Sequence, residues 1–547
     1  MSNISAHVAS TLGRHVEHVF GVMGNGNAYF LDALYTSTDM TFTATRHEAG
    51  SVAAADAYYR ASQKMAAATV TYGAGFTNAI TPLVEASQAG IPLILVAGDE
   101  PSSGPRPWDV DQISLAAAVG VKTFTVGTRG AAATTMAAIE HALRYQTPVV
   151  VSIPYDFAAQ ESGEVPQFEL ADTASTPALP QEQIAHAAKK LAAAQRPVII
   201  AGRGAWVAGA STALGDLARA TGAVTSTSAL ARGIFPDQQY DLGVTGGFGA
   251  EGAMNLIQEA DVALVVGAAL NQFTTRFGQL FSSDTHIIQI DTALTATHPA
   301  VNEYLRGDAK LTVQTMLAEL DRVGATPSTW RASVDVPALR TYEDADTEYA
   351  PDGRLDPRAV ARRIGELLPA DRVVVSDGGH FIGWANMYWP VEAPDRMMMV
   401  GTAFQTIGLG IHTVAGAAQA KPDSTVVLTS GDGGGLMALS DLETAVRTAG
   451  GRGMAVIWND AVYGAELNLY GLKGLAQEPM VIPETDFASL ASAVGADSVV
   501  VRSLADLDKL EEWSRLPFDE RKFLVLDCRI SPNIIAPYQR EIIEINS

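Results

Sequence analysis

A single cysteine, Cys528, stands among 547 residues. No disulfide can close within the chain, and no cysteine-rich zinc or iron–sulfur site can be built. Cys528 ends the apolar run Phe523-Leu-Val-Leu-Asp-Cys528, which reads as a buried strand rather than the setting of a nucleophile. Basic residues are also scarce: 37 Lys and Arg face 60 Asp and Glu, for a formal net charge of −23. A surface of that sign repels phosphate backbones and anionic bilayers, so neither nucleic acid nor membrane is an expected partner. A small anionic ligand is still allowed, because it needs only a local field. No apolar stretch reaches the roughly 18 residues of a transmembrane helix. The start, Met1-Ser-Asn-Ile-Ser, lacks the basic and apolar regions of a secretory signal. A soluble, cytoplasmic protein is expected.

Material for cores is plentiful, at 47% hydrophobic and 18% charged residues. Short apolar runs recur and end in Gly, Asp or Pro: 92–98, 148–154, 197–202, 262–267, 286–291, 372–377, 425–430, 454–458 and 522–527. Runs this apolar, without alternation, suit strands covered on both faces. Ala-rich stretches of helical period lie between them. The fold class is therefore α/β, with mostly parallel sheets flanked by helices. Residues 160–183 and 323–357 carry Pro, Ser, Thr and acidic residues with little periodicity and read as linkers. They divide the chain into three domains, 1–165, 184–335 and 352–547.

The strongest local signal lies in the last domain. The strand at Thr425 runs into Gly431-Asp432-Gly433-Gly434-Gly435, followed by a helix with Leu436, Leu439, Leu442 and Val446 on one face. A second strand then ends in Asn459-Asp460. This strand–helix–strand unit brings two neighbouring strand ends to the carboxyl edge of a parallel sheet, where ligands bind in open α/β folds. Glycines let a backbone approach phosphate oxygens, and the helix that follows points its N-terminus at them. Two carboxylates nearby suit Mg²⁺ shared with phosphate. The plain alternative is a tight turn without a ligand.

Segment 431–460 resembles the thiamin-diphosphate signature, which opens with Gly-Asp-Gly and closes near Asn-Asn. Asp432 matches the first metal ligand of that family. The second is Asp460 or, if the longer loop Ala449–Gly453 shifts the register, Asn459; the carbonyl of Val462 completes the protein ligands. Three further motifs follow the family's order. Thr45-Arg-His-Glu48-Ala resembles the activating-glutamate segment. Thr71-Tyr-Gly73-Ala-Gly75-Phe76-Thr-Asn78 is similar to a Gly-rich turn, with Asn78 on the cofactor side and Phe76 on the substrate side. Gly401-Thr-Ala-Phe-Gln405-Thr-Ile407-Gly408 resembles the loop that supports the cofactor. The chain is thus identified as a member of the acetolactate synthase, pyruvate decarboxylase and benzaldehyde lyase superfamily.

The resemblance implies thiamin diphosphate and Mg²⁺ as cofactors, with the pyrimidine held by the first domain and the diphosphate by the third. Gly431, Gly433 and Gly434 would face the diphosphate. Glu48 would hydrogen-bond the aminopyrimidine and shuttle a proton. Ile407 would wedge under the cofactor, and the Gln405 carbonyl would accept from its amine, at a position where the family often has Gly. His380 would contact the phosphate end or the substrate. Asn25, Gly26, Trp108, Gln112 and Tyr463 fall in substrate-side segments. Asn25 takes the place of a catalytic Asp, and Gly26 that of the benzaldehyde lyase His. Glu466 sits where pyruvate decarboxylases carry a catalytic Glu. Glu48 and the metal site would come from different subunits, so a homodimer or homotetramer is implied. In the middle domain Gly202-Arg-Gly204 is too little for a dinucleotide fingerprint, so FAD is not expected there, although some relatives bind it. The expected reaction is decarboxylation of a 2-oxo acid with transfer of the acyl unit. Two alternatives are an aldehyde lyase acting on 2-hydroxyketones and a cofactor-binding homologue without turnover.

Overall fold

The computed structural model describes residues 2–171 and 179–546. The first third of the chain contains β1 (Ser2–Asn3), β2 (His18–Gly21), β3 (Thr41–Ala44), β4 (Ala66–Val70), β5 (Leu93–Asp99), β6 (Lys122–Thr125), β7 (Val149–Pro154) and β8 (Glu161–Gly163). The middle third contains β9 (Pro197–Ala201), β10 (Val224–Thr227), β11 (Asp241–Val244), β12 (Val262–Val266), β13 (His286–Asp291) and β14 (Glu303–Arg306). The last third contains β15 (Arg372–Ser376), β16 (Met397–Met399), β17 (Thr425–Gly431), β18 (Gly453–Asn459), β19 (Asp497–Val501) and β20 (Leu524–Arg529).

These strands form three parallel six-stranded sheets with orders β3-β2-β4-β5-β7-β6, β11-β10-β9-β12-β13-β14 and β16-β15-β17-β18-β20-β19. The first and third orders are the same topology twice; the middle one is the doubly wound order of a Rossmann sheet. Central strands are buried along their whole length, as in β5 and β18. Each Val, Leu or Ile taken out of water there contributes roughly 1.5–3 kcal/mol. Helices cover both faces of every sheet, and a separate apolar cluster fills each interface.

The first and third domains meet along two helices, Glu48–Ser62 and Gly410–Ala420. Both are rich in Ala and Gly, which lets their backbones approach. A Cβ on Gly416 would strike the carbonyl of Ala54, and one on Gly50 would strike the Asp441 carboxylate. Asp441 also accepts from the Arg46 N–H at 2.6 Å and pairs with His412 Nδ1 at 2.7 Å, so the seam is polar at one end. The middle and third domains meet through Phe248, Phe273 and Tyr538, whose rings pack edge to face.

Neither linker segment is free-standing. β8 pairs antiparallel with β1, and residues 172–178 of the first linker lie outside the described residues. The second is anchored at points: Trp330–Ser333 and Val336–Leu339 are helical turns, Val336 is buried, and Leu355, fully buried, bridges to Ile530. The Gly202-Arg203-Gly204 glycines serve close packing, because a Cβ at either would press on the Gly267 backbone. Arg203 leaves its own domain and donates from Nη1 to the Ala89 carbonyl at 2.8 Å. Among the described residues no helix is long and apolar enough to cross a membrane.

Candidate active site

The loops singled out in the sequence leave the carboxyl ends of parallel strands, in matching places of the two like sheets. In the first domain, Gly24–Asn27 follows β2, Glu48 follows β3 and Thr71–Asn78 follows β4. In the third, Asp377–His380 follows β15, Gly401–Gly408 follows β16, Asp432 follows β17 and Asp460 follows β18.

β17 and β18 are adjacent, with Gly431 in register with Trp458, so their ends deliver Asp432 and Asp460 side by side. Asp432 is 2% exposed; it accepts from the Gly433 N–H at 2.9 Å and the Ala461 N–H at 3.0 Å. Asp460 accepts from the Val462 N–H at 3.2 Å. Neither carboxylate makes an ion pair among the described residues. Burial raises Asp432 to about 6; burial and the charge of Asp432 raise Asp460 to about 8. Between them Ala461 has φ 64°, a left-handed conformation costly for a residue with a Cβ. The Val462 carbonyl accepts no hydrogen bond among the described residues, although Val462 bridges to Val481. Asn459 is turned the other way: its Nδ2 donates to Asp527 Oδ1 and the Thr485 carbonyl, both at 2.9 Å. Asp460, and not Asn459, therefore faces Asp432.

The glycine turn is tightly packed. A Cβ on Gly431 would meet Phe381 at 2.9 Å, one on Gly433 would meet the Tyr463 ring at 2.8 Å, and one on Gly434 would meet Asp377 Oδ2 at 2.6 Å. Asp377, fully buried, is a residue the sequence reading passed over. Its Oδ1 accepts from the N–H groups of Gly378 (2.8 Å) and Gly408 (2.9 Å), and its Oδ2 accepts from Ser430 Oγ at 3.1 Å. It ties the loop after β15 and the 401–408 loop to the end of β17. The available signal was an Asp closing an apolar strand directly before Gly-Gly. Within the 401–408 loop, Gln405 has φ 58°, so the backbone keeps the left-handed turn that a glycine would adopt freely. Ile407 is half-buried against Gly378.

In the first domain Glu48 opens its helix, capped by His47, whose Nδ1 accepts from the Ala49 N–H at 3.1 Å. Asn78 Nδ2 donates to Glu48 Oε2 at 3.0 Å, leaving Oε1 beside Gly75. Asn25, exposed, donates from Nδ2 to the Tyr72 hydroxyl at 2.9 Å, a partner the sequence reading did not name. The Tyr72 ring is held under the Arg106 guanidinium at 4.1 Å. Gly26 donates to Thr71 Oγ1 at 2.9 Å, and a Cβ there would sit 2.7 Å from Tyr72 Cδ1.

Several expected site residues are occupied elsewhere. Phe76, expected on the substrate side, is fully buried in the core below the turn. Gln112, 3% exposed, is spent on structure: Oε1 accepts from the Gly73 N–H at 2.7 Å and Nε2 donates to the Gly98 carbonyl at 2.9 Å. His380 is buried against Trp384 and Tyr538; its Nε2 accepts from the Ala536 N–H at 3.0 Å, and burial lowers it to about 4, so the ring is neutral. Tyr463 lies against Gly433 of the glycine turn. Trp108 stays open at 60% exposure, and Glu466 is exposed without a hydrogen bond or ion pair among the described residues. Glu466 leads into a wider π turn, Leu467–Gly471, a form often found at functional sites.

Comparison with known proteins then decides the family. The profile "Thiamine pyrophosphate enzyme, N-terminal TPP binding domain" matches residues 2–115, the central domain 184–316, and the C-terminal TPP binding domain 377–528. The chain belongs to the thiamine pyrophosphate enzymes. Among its relatives in this family is an acetolactate synthase of Mycobacterium leprae, 28% identical over 506 residues, covering 88% of this chain and 79% of that protein. A sulfoacetaldehyde acetyltransferase of Roseovarius nubinhibens is 28% identical over 578 residues, covering 97% and 92%. The crystal structure of a benzoylformate decarboxylase from Polynucleobacter necessarius shares the fold at a TM-score of 0.80 and 21% identity, covering 98% and 99%. For a thiamine pyrophosphate enzyme the donor set fits the cofactor and a divalent cation. Two buried carboxylates that make no ion pair and a Val462 carbonyl that accepts no hydrogen bond, both among the described residues, converge with the glycine-rich turn Gly431–Gly435 at one sheet edge. Among the described residues no group of three His, Cys, Asp or Glu is placed to hold a metal ion.

Proposed function

We propose that the chain uses thiamin diphosphate and Mg²⁺ to decarboxylate a 2-oxo acid and transfer the acyl unit to a second carbonyl compound, as an acetolactate synthase-like carboligase. The observation that carries this reading is the buried Asp432–Asp460 pair at the end of a sheet whose topology recurs in the domain of Glu48. Two carboxylates confined together favour a divalent cation, and the glycine turn beside them leaves backbone N–H groups for a diphosphate.

In this reading Asp432, Asp460 and the Val462 carbonyl hold Mg²⁺, and Gly431, Gly433 and Gly434 face the diphosphate. The Gln405 carbonyl and Ile407 set the height of the rings. Thiamin diphosphate, when bound, supplies the electron sink that cleavage next to a carbonyl requires. Glu48 holds a proton at its open Oε1 while Asn78 fixes Oε2. Asn25, steadied by Tyr72, orients the donor's carboxylate or carbonyl. Glu466 moves a proton at the reacting oxygen. Glu48 and Asp432 act on one cofactor across two subunits, so the working unit is a homodimer or a dimer of dimers. The names of the curated relatives support acyl transfer. The aldehyde-lyase reading is weakened at Gly26, where no side chain fits.

The test is a screen of the protein with added thiamin diphosphate and Mg²⁺, following carbon dioxide and hydroxyketones together. Carbon dioxide from pyruvate or phenylpyruvate, with hydroxyketone formation, is expected. Aldehyde released from benzoin or acetoin with no carbon dioxide from any 2-oxo acid would overturn the reading.

A further inference from the structure

The helix Glu48–Ser62 carries a second charged group on its buried side. Arg60 pairs with Asp56 at 2.5 Å and with Glu85 at 3.0 Å. Asp56 and Glu85 are fully buried, and Arg60 is 5% exposed. Arg203 lies near enough to Asp56 to share its charge, whereas Arg60 reaches only Oε1 of Glu85, and the buried Oε2 needs a hydrogen-bond donor of its own. A donor comes from the third domain: the Phe404 N–H reaches Glu85 Oε2 at 2.8 Å. Arg60 Nη1 in turn donates to the Met399 carbonyl at 3.2 Å. Met399 ends β16, and Phe404 directly precedes Gln405. The segment between β16 and Ile407 is thus fastened at two points to the first domain of the same chain. The helix that bears Glu85, Ile80–Gln88, is braced beyond its end by Arg203 of the middle domain, through the Ala89 carbonyl.

That fastening matters because Gln405 is left-handed, a conformation that persists only where the surroundings over-determine it. Phe404 and Gln405 are themselves exposed, so packing does not hold them. We propose that Glu85 is a positioning residue for the cofactor loop: its bond to the Phe404 N–H fixes the Gln405 carbonyl and the height of Ile407. This rests on the reading of 401–408 as cofactor support.

The test uses the full chain with Glu85→Ala and Glu85→Gln. Two readouts are taken: hydrogen exchange of amides 401–408, and a calorimetric titration with thiamin diphosphate at saturating Mg²⁺. Losing a hydrogen bond to a charged group should speed exchange across 401–408 and weaken the cofactor about tenfold in Glu85→Ala. Glu85→Gln keeps one acceptor oxygen for the Phe404 N–H, with its amide NH2 then facing Arg60, and should regain part of both. If Glu85→Ala is insoluble, Glu85→Asp serves instead, since it keeps the charge but draws the oxygen back from Phe404; the same loosening is expected. Wild-type exchange and affinity in the shortened variant overturn the proposal, and so does damage in Glu85→Gln as large as in Glu85→Ala. Failure of the wild-type protein to bind thiamin diphosphate would instead refute the cofactor reading, and loop exchange alone would then decide the role of Glu85.

Discussion

The carboxylate of Asp460 is buried in the field of Asp432, and burial together with that neighbouring charge raises it to about 8. Burial raises Asp432 to about 6. Both values lie above the unfolded carboxylate range near 4. At these two carboxyls the folded protein therefore holds more protons than the unfolded one between about pH 4 and pH 8. The stabilisation from these two groups is complete below that window and is lost as pH rises through it. Above about pH 6.5, where histidines of the unfolded chain are neutral and the lowered His380 no longer opposes the trend, the melting temperature without added cation should fall towards pH 8.5. Added Mg²⁺ and thiamin diphosphate should raise it more at pH 8.5 than at pH 5.5. Thermal melts from pH 5.5 to pH 8.5, with and without additions, check this; an equal increment at both ends would exclude the pair as the cation site.

Asn459 and Asp460 are neighbours in sequence with opposite jobs. Asp460→Ala should abolish the Mg²⁺ requirement for tight thiamin diphosphate binding by abolishing the binding itself. Asn459→Ala should instead cost about 1–3 kcal/mol of stability, because buried Asp527 loses a donor. Its cofactor affinity should stay close to wild type. Calorimetry and chemical denaturation on the two variants separate these outcomes, and a reversed pattern would restore Asn459 as the ligand.

Glu48→Gln should retain cofactor and metal but lose turnover, since an amide cannot carry the proton. Asn78→Ala should lower turnover less, because only the orientation of Oε2 is lost. Glu466→Gln should slow turnover with cofactor affinity unchanged. Steady-state kinetics beside calorimetric titration distinguish the three; activity of Glu48→Gln equal to wild type would remove Glu48 from the chemistry.

Gly26→His, which places an aldehyde-lyase-type side chain in this loop, should cost about 1–3 kcal/mol through overpacking on Tyr72 and Thr71. It should gain no cleavage of benzoin. Denaturant unfolding and a product assay measure both; a stable variant that cleaves benzoin would mean that the loop yields.

Most central strands were legible because burial on both faces writes an uninterrupted apolar run, as at 92–98 and 454–458; Ala66–Val70 and Val224–Thr227 are as deeply buried but were missed, being built largely of Ala, Thr and Ser. The edge strands were not: Thr41–Ala44 and Lys122–Thr125 keep exposed residues and carry no such run. At the site, Asp432 and Asp460 could be read from local sequence because one strand–helix–strand unit sets their meeting. Phe76 and Gln112 could not, since their partners come from distant segments. A phenylalanine in a glycine-rich turn gives no local sign of which way it faces, and Gln112 is claimed by Gly73 and Gly98 only once β4 and β5 lie side by side. The packing of His380 was hidden for the same reason, because Ala536 and Tyr538 arrive from the other end of the domain.

The contact of Gly416 with the Ala54 carbonyl has a consequence for how this enzyme can diversify. Where two backbones already touch, one added methyl group acts as a wedge, so the angle between the first and third domains is not a variable that single substitutions can tune gradually. On the proposed reading, new substrate preferences would arise around Asn25, Trp108 and Glu466, whose exposed side chains can be exchanged without moving the frame. Libraries aimed at altered specificity should therefore sample those loops and leave the helix seam untouched.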